Sequence, residues 1–137
     1  MEKMLRPVLK IQLYGEEKCF GPGIAELLRQ VERHNSLRQA AQAMDMAYSK
    51  AWTMVQRCEG VLGFSLLAST TGGRHGGGAA LTPDAKDLLI RYDAYCAALQ
   101  KEAARLFFFN HFRKLVFCRL PRRMAALPGD TEQRGKA

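Results

Sequence analysis

One stretch, Ser36 to Thr82, constrains this chain more than any other. It reads SLRQAAQAMDMAYSKAWTMVQRCEGVLGFSLLASTTGGRHGGGAALT. Ser36 is a natural N-cap for a short, alanine-rich helix from Leu37 to about Met44. Leu37, Ala40, Ala41 and Met44 form its buried stripe, and the small alanines permit close crossing of a second helix. Asp45-Met46-Ala47 is the turn. The second helix runs from about Tyr48 to Val61, with Ala51, Val55, Cys58 and Leu62 recurring at helical spacing. Gly60 and Gly63 mark its end. Phe64–Ser69 and Ala79–Thr82 then read as two strands of a hairpin, joined by TTGGRHGGG at 70–78. Two helices over a tight turn, followed by a glycine-rich hairpin, predict a winged helix-turn-helix. The fold class expected is mainly α with a small β wing (α+β).

The outer face of the second helix carries Tyr48, Ser49, Trp52, Thr53, Gln56 and Arg57. Hydrogen-bonding, cationic and aromatic types suit a major groove, where base edges offer donors, acceptors and thymine methyls. An ordinary solvated helix also shows a polar outer face, so this composition leaves both readings open. In the hairpin connection, glycines allow close backbone approach to another surface, and Arg74 suits a minor groove or a phosphate. A functionless hairpin tip is the competing reading. The connection matches neither G-x-x-x-x-G-K-[ST] nor G-x-G-x-x-G, and AALT follows it in place of a helix, which disfavours a nucleotide cradle.

The flanking segments read as support. Leu5–Tyr14, LRPVLKIQLY, has strand character, with Pro7 placing it at an edge or a strand start. Gly15–Gly23 is punctuated as a loop. A first helix begins near Pro22–Ile24 and runs to about His34, with Ile24, Leu27, Leu28 and Val31 as its apolar stripe. Thr82-Pro83-Asp84 opens a last helix that can continue to about Phe112. Leu88, Tyr92, Tyr95, Leu99 and Leu106 follow a near-heptad seam on it, beside a second line of Leu89, Cys96 and Ala103. Such a surplus of apolar surface points to a long C-terminal dimerisation helix and a homodimer; packing on its own domain is the alternative. Residues 1–112 thus read as one domain, and 113–137 as a basic, flexible tail.

A net charge of +8 and a pI near 9.6 favour a polyanionic partner, nucleic acid before membrane. The charge is unevenly placed: residues 1–112 hold 14 Lys/Arg against 11 Asp/Glu, net +3, and residues 113–137 hold 7 against 2, net +5. Binding by the helical head must therefore rest on placed residues. Cys19, Cys58, Cys96 and Cys118 show no zinc spacing and read as free thiols of a reducing cytoplasm. The N-terminus has no apolar core of a signal peptide, and the LFFF run at 106–109 is too short for a bilayer. No paired carboxylates, nucleophile–base set or metal cluster stands out, so neither an enzyme nor a cofactor is expected.

These residues resemble a known family. Tyr48-Ser49-Lys50-Ala51-Trp52 is similar to the start of the recognition helix of molybdate-responsive regulators of the ModE type. Thr71-Gly72-Gly73-Arg74-His75-Gly76-Gly77-Gly78-Ala79, followed by Leu81-Thr82, resembles their wing. A more distant similarity reaches the DNA-binding heads of LysR-type regulators, through Ala40-Ala41, Glu59, Gly63 and the L-T before the last helix. The resemblance implies a dimer on a palindromic operator in double-stranded DNA, and control of genes for molybdenum uptake or use. On that reading Ser49, Thr53, Gln56 and Arg57 read bases. Ser36, Arg38, Gln39, Tyr48 and Lys50 contact phosphates or sugars, and Arg74 with His75 contacts phosphate or the minor groove. Trp52 either joins them or wedges at the helix boundary. The sequence departs from the family at three points. Arg74 stands where the family has lysine, His75 where it has glycine, and Thr53 where an acid is common. Nothing after the last helix resembles the family's molybdate-binding domains, so molybdate binding by that route is not expected. The alternative function is a protein-interaction module built on the long helix and the aromatics Phe107–Phe109 and Phe112.

Overall fold

The computed structural model describes residues 5–70 and 78–111. Its elements are β1 (Leu13–Tyr14), β2 (Lys18–Phe20), α1 (Pro22–His34), α2 (Leu37–Ala43), α3 (Tyr48–Leu62), β3 (Leu67–Thr70), β4 (Gly78–Leu81) and α4 (Pro83–Leu106). The architecture is a winged helix-turn-helix: α2 and α3 form the helix pair, and β3–β4 form the base of the wing. Val8–Gln100 make one compact unit, and the described residues 5–7 and 101–111 belong to another.

Local chemistry sets the helix limits. Pro stands in the first turn of α1, where its missing N–H costs nothing. Asn35 ends α1 in the left-handed conformation, φ 51°, and its N–H donates to the Val31 carbonyl at 2.8 Å. The Ser36 hydroxyl then accepts from the Gln39 N–H at 3.2 Å and caps α2. Asp45, at φ 52°, makes the sharp turn into α3. Gly63, at φ 78°, closes α3 by donating its N–H to the Glu59 carbonyl at 2.9 Å. Gly60, expected to help mark that end, lies inside the helix, because a single glycine with helical dihedrals does not stop a helix whose neighbours continue it.

The core is one cluster, in which Phe20, Leu27, Leu28, Val31, Val55, Cys58 and Leu66 are the largest fully buried side chains. Leu37, Ala40 and Ala41 of α2 are buried as their spacing predicts, and so are Ala51, Val55 and Cys58 of α3. Met44 and Leu62 are only half-buried at the edge of the cluster.

Three expectations are corrected. The strand expected over Leu5–Tyr14 shrinks to Leu13–Tyr14, because the residues before it bond to α4. The Leu9 N–H donates to Gln100 Oε1 at 3.0 Å, and the Ile11 carbonyl accepts from the Tyr92 hydroxyl at 2.7 Å. The loop expected over Gly15–Gly23 contains β2, which returns antiparallel on β1 with Leu13 opposite Phe20. Pairing drives the Phe20 ring inward, edge-on to Tyr92 with centroids 5.0 Å apart. The helix expected to reach Phe112 stays α-helical only to Leu106, and Phe107–His111 widen into a π-helical turn. Three consecutive phenylalanines crowd a regular α turn, and the Phe107 and Phe108 rings settle edge to face at 5.5 Å.

In the wing, Leu67 pairs with Leu81 and Thr70 with Gly78. Both strands are rooted in helices. The Leu66 N–H donates to Glu59 Oε1 of α3 at 2.7 Å, and the Ala79 N–H donates to the Asn35 carbonyl at 3.0 Å. Thr82 joins wing to α4: its hydroxyl donates to the Ser65 carbonyl at 2.7 Å and accepts from the Ala85 N–H at 3.1 Å.

Candidate nucleic-acid interface

Most polar side chains of α3 stay outside because its buried line, Ala51, Val55 and Cys58, faces the core, with Met54 and Glu59 half-buried beside it. Tyr48, Ser49, Lys50, Trp52, Thr53, Gln56 and Arg57 are all exposed. They divide into two flanks. Ser49, Lys50, Thr53 and Arg57, with Met54, surround a shallow depression on the side away from the wing. Two cations and no acid line it. Tyr48, Trp52 and Gln56 face a wider groove of about 520 Å³, bounded by Ser36 and Arg38 on one side and by Ser69, Gly78 and Ala79 of the wing on the other.

Trp52 is 47% exposed and lines this groove. Arg38 and Tyr48 meet across the helix pair, with the guanidinium carbon 4.8 Å from the ring centre. This stacking orders a long cationic side chain at the mouth of the groove. Ser36 is spent partly on capping, so its hydroxyl and the Gln39 amide already serve each other. Thr53 donates its hydroxyl proton back to the Ser49 carbonyl at 2.8 Å, which leaves its oxygen outward as an acceptor. Arg74 and His75 lie outside the described residues, as do Thr71–Gly77 of the wing motif and the tail from Phe112 on.

Glu59 emerges as a site residue that residue type alone did not mark. Among the described residues it is the one acid lining the groove. Its Oε1 accepts from the Leu66 N–H, and from the Leu67 N–H at 3.4 Å; its Oε2 accepts from Gln56 Nε2 at 3.4 Å. Sequence offered two signals: Glu59 is among the residues that carry the LysR-type resemblance, and it lies three residues beyond Gln56, on the same helix face.

Beneath this surface, Cys58 packs against Cys19 with sulfurs 3.3 Å apart. Burial, followed by the bond to Cys19, pushes the Cys58 thiol far above its ordinary range, so it remains protonated core filling. The expected seam on α4 also divides. Tyr92 is buried in the core, and Leu88 packs half-buried against it. Leu99 is half-buried, while Tyr95 is 51% and Leu106 40% exposed. Among the described residues, no group of three or more His, Cys, Asp or Glu is placed to hold a metal, and no helix is long and apolar enough to cross a membrane.

Residues 25–86 match the family model of the bacterial regulatory helix-turn-helix protein, lysR family. The chain is 36% identical over 72 residues to the transcriptional regulator ModE of Haemophilus influenzae, covering 53% of this chain and 28% of that protein. It is 35% identical over 75 residues to the molybdenum-pterin-binding protein MopB of Rhodobacter capsulatus, covering 55% and 28%. With the DNA-binding transcriptional dual regulator ModE of Escherichia coli K12 it shares 29% identity over 102 residues, 74% of this chain and 37% of that protein. The matched part thus spans between about a quarter and two-fifths of these relatives' length.

Proposed function

We propose that this chain, whose residues 25–86 carry a helix-turn-helix DNA-binding segment similar to those of LysR-type and ModE regulators, is a sequence-specific transcriptional regulator that inserts α3 into the major groove. The observation that carries this reading is the two-flanked outer face of α3. One flank presents Ser49, Lys50, Thr53 and Arg57, and the other opens on the groove shared with the wing. Ser49, Thr53, Gln56 and Arg57 are assigned to base edges, Arg38, Tyr48 and Lys50 to phosphates, and Ser36 and Gln39 to the start of α2 against the backbone. Arg74 and His75 keep their assignment to phosphate or minor groove from the sequence motif.

The finer reading is a homodimer on a palindromic operator, with two copies of α3 roughly one DNA turn, about 34 Å, apart. The exposed Tyr95, with the half-buried Leu99, supports a partner surface on α4. Control of molybdenum-related genes is supported by the names of the relatives. A duplex selected from a randomised library by the purified chain tests the function directly. Expected are a two-fold symmetric selected sequence and an affinity that falls linearly on a log–log salt plot. No binding at low salt would sink the reading. Molybdate added to the same titration is expected to leave the affinity of this chain unchanged; a shift would show that the chain itself senses the oxyanion. The competing reading, a protein-interaction module, is favoured by the exposed Phe108 and Phe109 in the second unit, and predicts no duplex affinity at any salt.

A further inference from the structure

We infer that Glu59 is a positioning residue for DNA readout, locking the Gln56 side chain and the root of the wing to one another. The inference rests on the reading of α3 as the recognition helix.

Glu59 sits in the groove where a polyanion is to dock, and among the described residues it is the one acid lining that groove. A free carboxylate there repels phosphates. Its oxygens are not free. Oε1 faces the N–H groups of Leu66 and Leu67, at 2.7 and 3.4 Å, where the chain leaves α3 and starts β3. Oε2 faces Gln56 Nε2 at 3.4 Å, one helical turn back along the same face. A single carboxylate therefore fixes two things that must be correct together: the distance from α3 to the wing, and the orientation of a base-reading amide. Charge-assisted bonds to backbone N–H are the stronger kind, which suits a pin between two elements. Gln56, with one donor engaged, is steered toward presenting its carbonyl oxygen outward, and that orientation selects a donor on the base edge.

The consequence separates charge from position. Glu59→Gln removes the negative charge and keeps an oxygen that can accept from the Leu66 N–H. Affinity for a scrambled duplex is expected to stay the same or rise. Affinity for the duplex selected by the wild-type chain is expected to fall, so that discrimination drops about threefold to tenfold, the scale of one neutral hydrogen bond. In a Gln56→Ala background the same Glu59→Gln change is expected to leave discrimination unaltered, because the side chain it steers is gone. Both duplexes are titrated by fluorescence anisotropy against wild type, the two single variants and the double variant, with thermal midpoints recorded. Equal loss of affinity for both duplexes would show a merely structural role and overturn the inference, as would additive effects of the two changes. If Glu59→Gln does not fold, Glu59→Asp decides: one methylene shorter, it cannot serve the wing and Gln56 together, and retained discrimination there overturns the inference. A wild-type chain that binds no duplex removes the reading of α3 itself; a wild type that discriminates while its Glu59 variants do so equally removes the inference alone.

Discussion

The guanidinium carbon of Arg38 lies 4.8 Å from the centre of the Tyr48 ring, so the first turn of α2 and the first turn of α3 share one cationic stack. The stack gives Arg38 a preferred direction before any phosphate arrives. Arg38→Ala is expected to weaken binding about equally for all sequences and to reduce the salt slope by about 1. Tyr48→Phe keeps the ring and should leave most of that affinity, while Tyr48→Ala should lose part of it. Arg57→Ala, by contrast, should cost about 1–3 kcal/mol at one operator position and relax preference there. Anisotropy titrations at several salt concentrations, on selected and scrambled duplexes, distinguish the two patterns.

The two glycines near the end of α3 should respond to alanine with opposite sign. A Cβ at Gly60 meets nothing within 4 Å, and the residue is helical, so Gly60→Ala should stabilise by about 0.5–1 kcal/mol. A Cβ at Gly63 also meets open space, but φ is 78°, so Gly63→Ala should destabilise by about 1 kcal/mol through backbone strain alone. Urea midpoints of the two variants, with unchanged slopes, check the pair.

Thr82 holds two elements with one hydroxyl, donating to the Ser65 carbonyl and accepting from the Ala85 N–H. Thr82→Ala should cost about 1–2 kcal/mol, the range of a lost N-cap. Thr82→Ser keeps the oxygen and should recover most of it. Loss in both variants would mean that the Thr82 methyl matters and the hydroxyl does not.

Tyr92 makes the fold sensitive to alkali. Burial, and the bond to Cys96 beside it, push its hydroxyl from 10.0 up to about 12. The unfolded chain gives up this proton near the ordinary value, whereas the folded chain holds it longer. The contribution of Tyr92 is therefore present in full below about pH 10 and is lost as pH rises from about 10 to about 12. Tyr92→Phe should show a shallower loss of stability across that window. At neutral pH it should be less stable by about 0.5–1.5 kcal/mol, having left the Ile11 carbonyl without its donor. Parallel urea titrations at stepped pH give the difference.

The parts legible in the sequence are those whose residues act on their own backbone. Pro22 starts a helix, Ser36 caps one, Asn35 and Gly63 end two, and Thr82-Pro83 opens the last. The parts that escaped depend on partners far along the chain. Strand character in Leu5–Tyr14 says nothing of Gln100 or Tyr92, which take its backbone groups. Period alone groups Tyr92 with Tyr95 on one seam of α4, whereas Phe20 and the Ile11 carbonyl hold Tyr92 in the core and Tyr95 stays exposed. In the interface, outward residue types on α3 were readable. The division into two flanks was not, because the wing that walls one flank is placed by Glu59 and Asn35, on two different helices.

That double rooting has a consequence for the order of assembly. Bonds within α1, α2 and α3 join near neighbours along the chain and can form early. The bond from Ala79 to Asn35 closes a loop around both α2 and α3, so its entropy cost is met only after those helices have stacked. The Ala79 amide should thus gain protection in pulsed hydrogen exchange only after the helices that its bond encloses. A newly made chain would acquire its second groove wall only once the helix it frames is already in place.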